Sequence, residues 1–170
     1  IRQLEEQTHD FERLNKILGK VCSTMQVEEV LKRILEETLL LCHADQGSVL
    51  ILHPDGQQTA KTLVRHGTSA TEKLNHYLNT LLAGWVSRYK KPLLTNNLSD
   101  TFGSSYVDPK YDEIVSTLSV PLLVHGKVMG AINLISLTKN RKFDQRELHL
   151  LSTLASQCAH FINNAQLHEK

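Results

Sequence analysis

The chain has no Cys-x-x-Cys pair, no Gly-rich phosphate loop, no Gly-x-Ser-x-Gly elbow, and no apolar run near the roughly 20 residues that span a bilayer. These absences argue against redox pairs, P-loop chemistry, elbow-type hydrolysis and a transmembrane helix. Charge is also balanced: 19 Lys and Arg against 18 Asp and Glu leave a net charge of +1, so no excess of either sign advertises nucleic acid or anionic lipid as a partner. Cysteine is scarce. Cys22, Cys42 and Cys158 are odd in number and far apart, which suits reduced thiols in the cytoplasm better than a disulfide framework. The nine histidines form no His-x-x-x-His pair, so no metal motif stands out. At 170 residues, 41% hydrophobic and 22% charged, the chain suits one globular domain. An opening at Ile1, without a signal-type leader and with helix-like sequence at both ends, is expected of a module taken from a longer protein.

Periodicity organises the chain. Leu4, Phe11, Leu18 and Met25 recur every seven residues, with Leu14 and Val21 between them, a short heptad seam over 1–25. "VEEVLKRILEETLLLC" then continues as a second helix to Cys42. Ser48–His53 and Ala60–His66 form two β-rich runs joined through Pro54-Asp55-Gly56, the pattern of a hairpin. Residues 71–90 place Leu74, Leu78, Leu81 and Leu82 at helical spacing with a break at Gly84, and "KPLLTNN" follows as a short edge strand. A loop of about 17 residues, "SDTFGSSYVDPKYDEIV", carries Phe102, Tyr106 and Tyr111; loops this long in a compact domain are commonly functional. "STLSVPLLVHGKVMGAINLISL" reads as two strands turning at His125-Gly126-Lys127. After Asp144 comes a long amphipathic helix, in which positions 151, 154, 158, 161, 165 and 168 also satisfy heptad spacing. Hairpins between long terminal helices predict an α+β fold: an antiparallel sheet of five to six strands, with the terminal helices on one face and short helices plus the loop over a pocket on the other.

The stretches "CHADQGSVLILHPDG", "LLAGWVSRYKKPLLTNN", "TLSVPLLVHGKVMGAINLIS" and "FDQRELHLLSTLASQCAHFI", in that order, resemble a GAF domain, the small-molecule-sensing module of phosphodiesterases, phytochromes and bacterial sensor kinases. The resemblance covers residues 26–167 and leaves 1–25 as a signalling helix and 168–170 as the start of a linker. Phosphodiesterase-type members carry an Asn-Lys, Phe, Asp-Glu signature. Here Ser136 and Leu137 stand where Asn-Lys would fall, while Phe143, Asp144 and Glu147 are present. Those three have a local account of their own: Asp144 as helix N-cap, Glu147 as its capping-box partner, and Phe143 stapled against Leu148.

Strand alternation places Ser48 and Asn133 as polar residues in the middle of the first and last strands, where a ligand or ordered water would satisfy them. The resemblance implies ligand contact at those two places, at Arg65, at Leu82 and Ala83, and in the aromatic loop at Tyr106 and Tyr111. Thr117 and Trp85 complete the candidate set, Trp85 either stacking on a ring or anchoring its helix. No catalytic or metal-ligating residue is expected, and no cofactor beyond a small-molecule ligand such as a cyclic nucleotide. A cysteine-based methionine-sulfoxide reductase is opposed by cysteines that all fall in helices. Covalent bilin is disfavoured because 47–150 contains no cysteine. Haem held by His66, His76 or His160 stays open, since a single axial ligand leaves no sequence signature.

The expected function is a non-catalytic sensory domain of a larger bacterial, cytoplasmic signalling protein. It would bind its ligand under the 99–115 loop, form a homodimer through the terminal helices, and drive an attached kinase, cyclase, phosphatase or activator, without direct contact with nucleic acid or membrane. The runner-up is a dimerising connector with no ligand, whose pocket is filled by its own side chains. Leu18→Asp should weaken a dimer built on the N-terminal seam; an unchanged sedimentation profile would show that this seam is not the interface.

Overall fold

The computed structural model describes residues 27–52, 58–59, 65–66 and 74–168. The heptad seam over 1–25, Cys22 and the Pro54-Asp55-Gly56 turn lie outside these residues. The elements run α1 (Val27–Cys42), β1 (Gln46–Leu52), β2 (Gln58–Thr59), β3 (Arg65–His66), α2 (His76–Tyr89), β4 (Leu93–Thr95), α3 (Leu98–Phe102), a 3-10 turn (Pro109–Glu113), β5 (Ser116–Val124), β6 (Lys127–Ser136) and α4 (Gln145–His168). The sheet is antiparallel, in the order β2-β1-β6-β5-β4, with β3 also paired to β1. Four strands, β1, β4, β5 and β6, form the body of the sheet; β2 and β3 are two-residue segments bordering β1. The expectation of five to six strands is corrected accordingly.

Local chemistry explains the punctuation. The β5–β6 hairpin turns on His125 (φ 51°) and Gly126 (φ 77°), the doubly positive backbone of a two-residue turn whose twist matches its strands. α2 starts at Asn75, whose side chain accepts from Leu78 N, and ends at Lys90 in the left-handed region. The expected break at Gly84 does not occur, because a glycine inside a helix costs only about 1 kcal/mol and the packing of Leu82, Ala83 and Val86 around it outweighs that. The 99–115 segment is also more regular than expected, holding α3, capped by Asn97, and the 3-10 turn, capped by Asp108.

The sheet separates two apolar clusters. One joins Val30, Ile34 and Leu35 of α1 with Leu151, Leu154 and Cys158 of α4 over Val49, Leu118, Val120, Ile132 and Leu134. The other joins Leu78, Leu82, Ala83 and Val86 of α2 with Leu50, Ala131, Ile135 and Tyr111. In α4, heptad positions Leu151, Leu154 and Cys158 are at most 1% exposed within the domain's own core. These three positions of the expected seam are therefore used internally.

The capping box is formed in both directions: Asp144 N donates to Glu147 Oε1 and Glu147 N donates to Asp144 Oδ1, each at 3.0 Å. Phe143 and Leu148 join the same apolar cluster, as a hydrophobic staple does. Burial raises the Glu147 carboxyl above its ordinary value of 4.5, and the Asp144 charge adds to the rise while the hydrogen bond from the Asp144 backbone opposes it. A raised acid binds its proton more tightly in the folded state. This contribution to stability is complete below the ordinary value and lost as pH rises through the raised one. Glu147→Gln keeps an acceptor for the cap and should be at least as stable as the parent at neutral pH, with a flatter stability profile on the acid side. Asp144→Ala should cost about 1 kcal/mol. Urea unfolding across pH checks both.

Candidate functional site

Register brings three polar side chains together at the centre of the sheet. Ser48 of β1 and Ser119 of β5 both stand opposite Asn133 of β6, on the face covered by α2. The positions of α2 that face inward are 78, 79, 82, 83 and 86, and the second of them is Asn79. Asn79 Oδ1 accepts from Ser48 Oγ at 2.5 Å and from Asn133 Nδ2 at 3.1 Å. Ser119 Oγ donates to Asn133 Oδ1 at 2.5 Å, and Asn79 Nδ2 donates to Leu74 O at 3.3 Å. All four side chains are at most 1% exposed. A buried polar group without a partner costs about 1–3 kcal/mol, so this quartet ties α2 to the sheet by making each member depend on the others. Thr117 lies on the same face, 1% exposed, and its hydroxyl has no partner among the described residues.

Two tyrosine hydroxyls clasp the 98–115 segment to the start of α2. Tyr77 OH donates to Tyr106 O at 2.6 Å and Tyr111 OH donates to Asn75 Oδ1 at 2.8 Å, the same oxygen that caps α2. The two rings stack with centroids 6.4 Å apart and planes 10° from parallel. The cover is thus held by a few specific polar contacts around a buried Tyr111.

The candidate residues divide. Ser48 and Asn133 meet in the quartet, and Leu82, Ala83 and Tyr111 pack in the apolar cluster around it. Tyr106 is 66% exposed, outside the covered face. Trp85 is half-buried and packs on the second cluster from its edge, beside Tyr89. The backbone of Arg65 pairs with Gly47; its side chain is outside the described set. His76 and His160 are exposed, and Cys42 and Cys158 belong to the cluster on the opposite face. Asn79, Ser119, Asn75 and Tyr77 are the members that sequence reasoning missed. Asn79 had a usable signal, since it is polar at an inward position between Leu78 and Leu82.

A family profile described as "GAF domain" matches residues 24–163. The chain belongs to the GAF family. Among solved structures, the fold is similar to the GAF domain of a phosphoenolpyruvate-protein phosphotransferase from Coxiella burnetii, with TM-score 0.71 and 18% identity over 96% of this chain and 98% of that one. The corresponding domain from Acinetobacter gives TM-score 0.67 and 19% identity over 92% and 94%. A photoproduct-state GAF domain from Synechocystis gives 0.64 and 18% over 85% and 98%. Among curated proteins, a dual 3',5'-cyclic-AMP and -GMP phosphodiesterase 11 of Drosophila melanogaster is 23% identical over 190 residues, covering all of this chain (100%) but 13% of that protein. GAF domains are sensory modules of signalling proteins, and this one retains the sheet and covering elements of that fold.

Among the described residues, three open pockets border the elements of this GAF domain. One of about 430 Å³ is lined by Tyr77, Tyr106, Tyr111 and the backbone between them. One of about 480 Å³ lies along the outer side of α2 against α3. The third, of about 280 Å³, sits by Cys42, Arg141, Lys142 and Glu147. None of Ser48, Thr117 or Asn133 lines any of the three. Among the described residues no three His, Cys, Asp or Glu side chains gather as metal ligands, and no helix is long and apolar enough to cross a membrane.

Asn79→Leu should destabilise the domain by about 2 kcal/mol, because Ser48 and Asn133 lose their shared acceptor at a buried site. Ser119→Ala, which removes one donor and leaves the Asn79 contacts in place, should cost about 1 kcal/mol. Denaturant unfolding of the two variants tests this order; the reverse order would mean that Asn79 does not organise the quartet.

Proposed function

We propose that this GAF domain is a non-catalytic regulatory module that binds a small polar molecule between the sheet and α2. The observation that carries the reading is the buried Ser48–Asn79–Asn133–Ser119 network, lying with the unpartnered Thr117 hydroxyl under a cover clasped by Tyr77 and Tyr111. An apolar sheet face would have packed more simply. A polar one holds donors and acceptors that a ligand can take over when Asn79 withdraws with α2, so the ligand's hydrogen bonds replace those of the closed state. A nucleotide or cyclic nucleotide has suitable groups, and the cyclic-nucleotide phosphodiesterase relative supports that class. Movement of the cover would bias the packing of the sheet against α1 and α4. Through them it would reach a partner copy and an attached kinase, cyclase, phosphatase or activator in a bacterial cytoplasm. Leu40, an apolar side chain 69% exposed on α1, supports a helix partner there.

A second reading, a ligand-free dimerising connector, is favoured by the fact that the quartet satisfies itself. Native mass spectrometry followed by thermal shift against cyclic nucleotides, purine nucleotides and small acids separates the two. The sensor reading expects a shift that grows with concentration as RT ln(1 + [L]/Kd) and is lost in Asn133→Leu. A flat response from the folded domain across the whole panel would establish the connector instead.

A further inference from the structure

The outer side of α2 is aromatic where a solvated helix face is ordinarily polar. Tyr77, Trp85 and Tyr89 stand on it, and Tyr77 and Tyr89 are 49% and 50% exposed. Phe102 of α3 joins them around the pocket of about 480 Å³, within the range of small-molecule sites. Gly84 also lines this pocket, and among the described residues, its own neighbours along the helix aside, nothing lies within 4 Å of the place where its Cβ would be. The helix therefore offers bare backbone between its rings, at the thermodynamic cost a mid-helix glycine carries.

The charge at this place has one sign. Among the described residues Arg88 is the one charged side chain lining the pocket. Its guanidinium lies 5.6 Å from the Tyr89 ring, and the Lys91 ammonium lies 5.8 Å from Trp85 and 5.9 Å from Tyr89. Among the described residues neither cation is paired with a carboxylate, and both lie against ring faces. Trp85 and Tyr89 lie 4.7 Å apart at 48°, leaving a tilted aromatic wall beside the glycine gap. Aromatic faces select a flat ring, and guanidinium selects an oxyanion with the geometry of a carboxylate or phosphate.

We propose that this pocket is a second binding site, for a planar aromatic anion, on the outer side of α2 and separate from the buried polar network. The ligand's ring packs over Gly84 against Trp85, and its anionic group pairs with Arg88. The site does not rest on the interior reading above. It involves the same helix that carries Asn79, so occupancy on one side of α2 would bear on the other.

Trp85 is the sequence's one tryptophan, so its indole N–H resonance is an unambiguous reporter. The experiment is to follow that resonance by NMR while titrating naphthoate, and separately its uncharged amide, naphthamide. Naphthoate is expected to give a saturable shift, with naphthamide roughly fivefold weaker because it lacks the charge-assisted contact. Arg88→Gln should bring naphthoate down to the level of naphthamide and leave naphthamide unchanged. Gly84→Leu, at an exposed helical position that favours leucine, should abolish both while the circular dichroism stays that of the parent. No saturable movement of the indole signal, or equal affinity in the parent, Arg88→Gln and Gly84→Leu proteins, overturns the proposal.

Discussion

The close approach of β1 to β6 at Gly130 is the constraint on which the polar centre depends. A Cβ at this residue would sit 2.1 Å from Leu50 O, a distance that no side chain permits. Gly130 pairs with Ile51 on one side and Leu122 on the other, and next to it the β5–β6 register shifts between Leu122 and Leu123. Met129 is the residue passed over. Strict alternation would put Met129 on the face of Ala131 and Asn133; the bulge turns it into the cluster of Ile132 and Leu134 instead. The same shift sets Ser119 opposite Asn133. Counting back from the turn pair Val124 and Lys127 without it, Ser119 would face Ile132 and Asn133 would lack that donor.

From this register follows the difference between the two faces. Toward α1 and α4 the sheet is sealed by aliphatic side chains, with Cys42 and Cys158 buried among them. Toward α2 it presents a polar centre in an apolar ring. Such a network is worth little net stability when satisfied and costs a great deal when broken. It therefore acts less as glue than as a condition on where α2 sits. The clasps by Tyr77 and Tyr111 extend that condition to the loop, since Asn75 Oδ1 serves both the helix cap and the tyrosine. Helix start, cover and polar centre are thereby joined through shared hydrogen-bond partners.

α2 also shows how one helix can serve two environments. Its inward positions hold Leu78, Leu82 and Val86 with Asn79 among them, while its outward positions hold rings and cations around Gly84. The helix continues through that glycine because tertiary packing on both sides of position 84 outweighs a small intrinsic preference.

The sequence by itself determined the helical character of α1, α2 and α4, the strand character of β1, β4, β5 and β6, the hairpin turn at His125-Gly126, the capping box of Asp144 and Glu147, and the polar character of Ser48 and Asn133. Each is a matter of residues near one another in the chain, where periodicity, turn chemistry and caps act directly. The family resemblance was legible for the same reason, in four stretches in order. Only the tertiary structure decided what completes the polar centre. Asn79 and Ser119 meet Asn133 across a helix–sheet contact and a bulged register, and a bulge is set by the packing of whole strands rather than by any local signal. It likewise assigned Leu151, Leu154 and Cys158 to the domain's own core, because a 3-4 apolar repeat looks the same whether the surface it meets is a partner helix or the chain's own sheet.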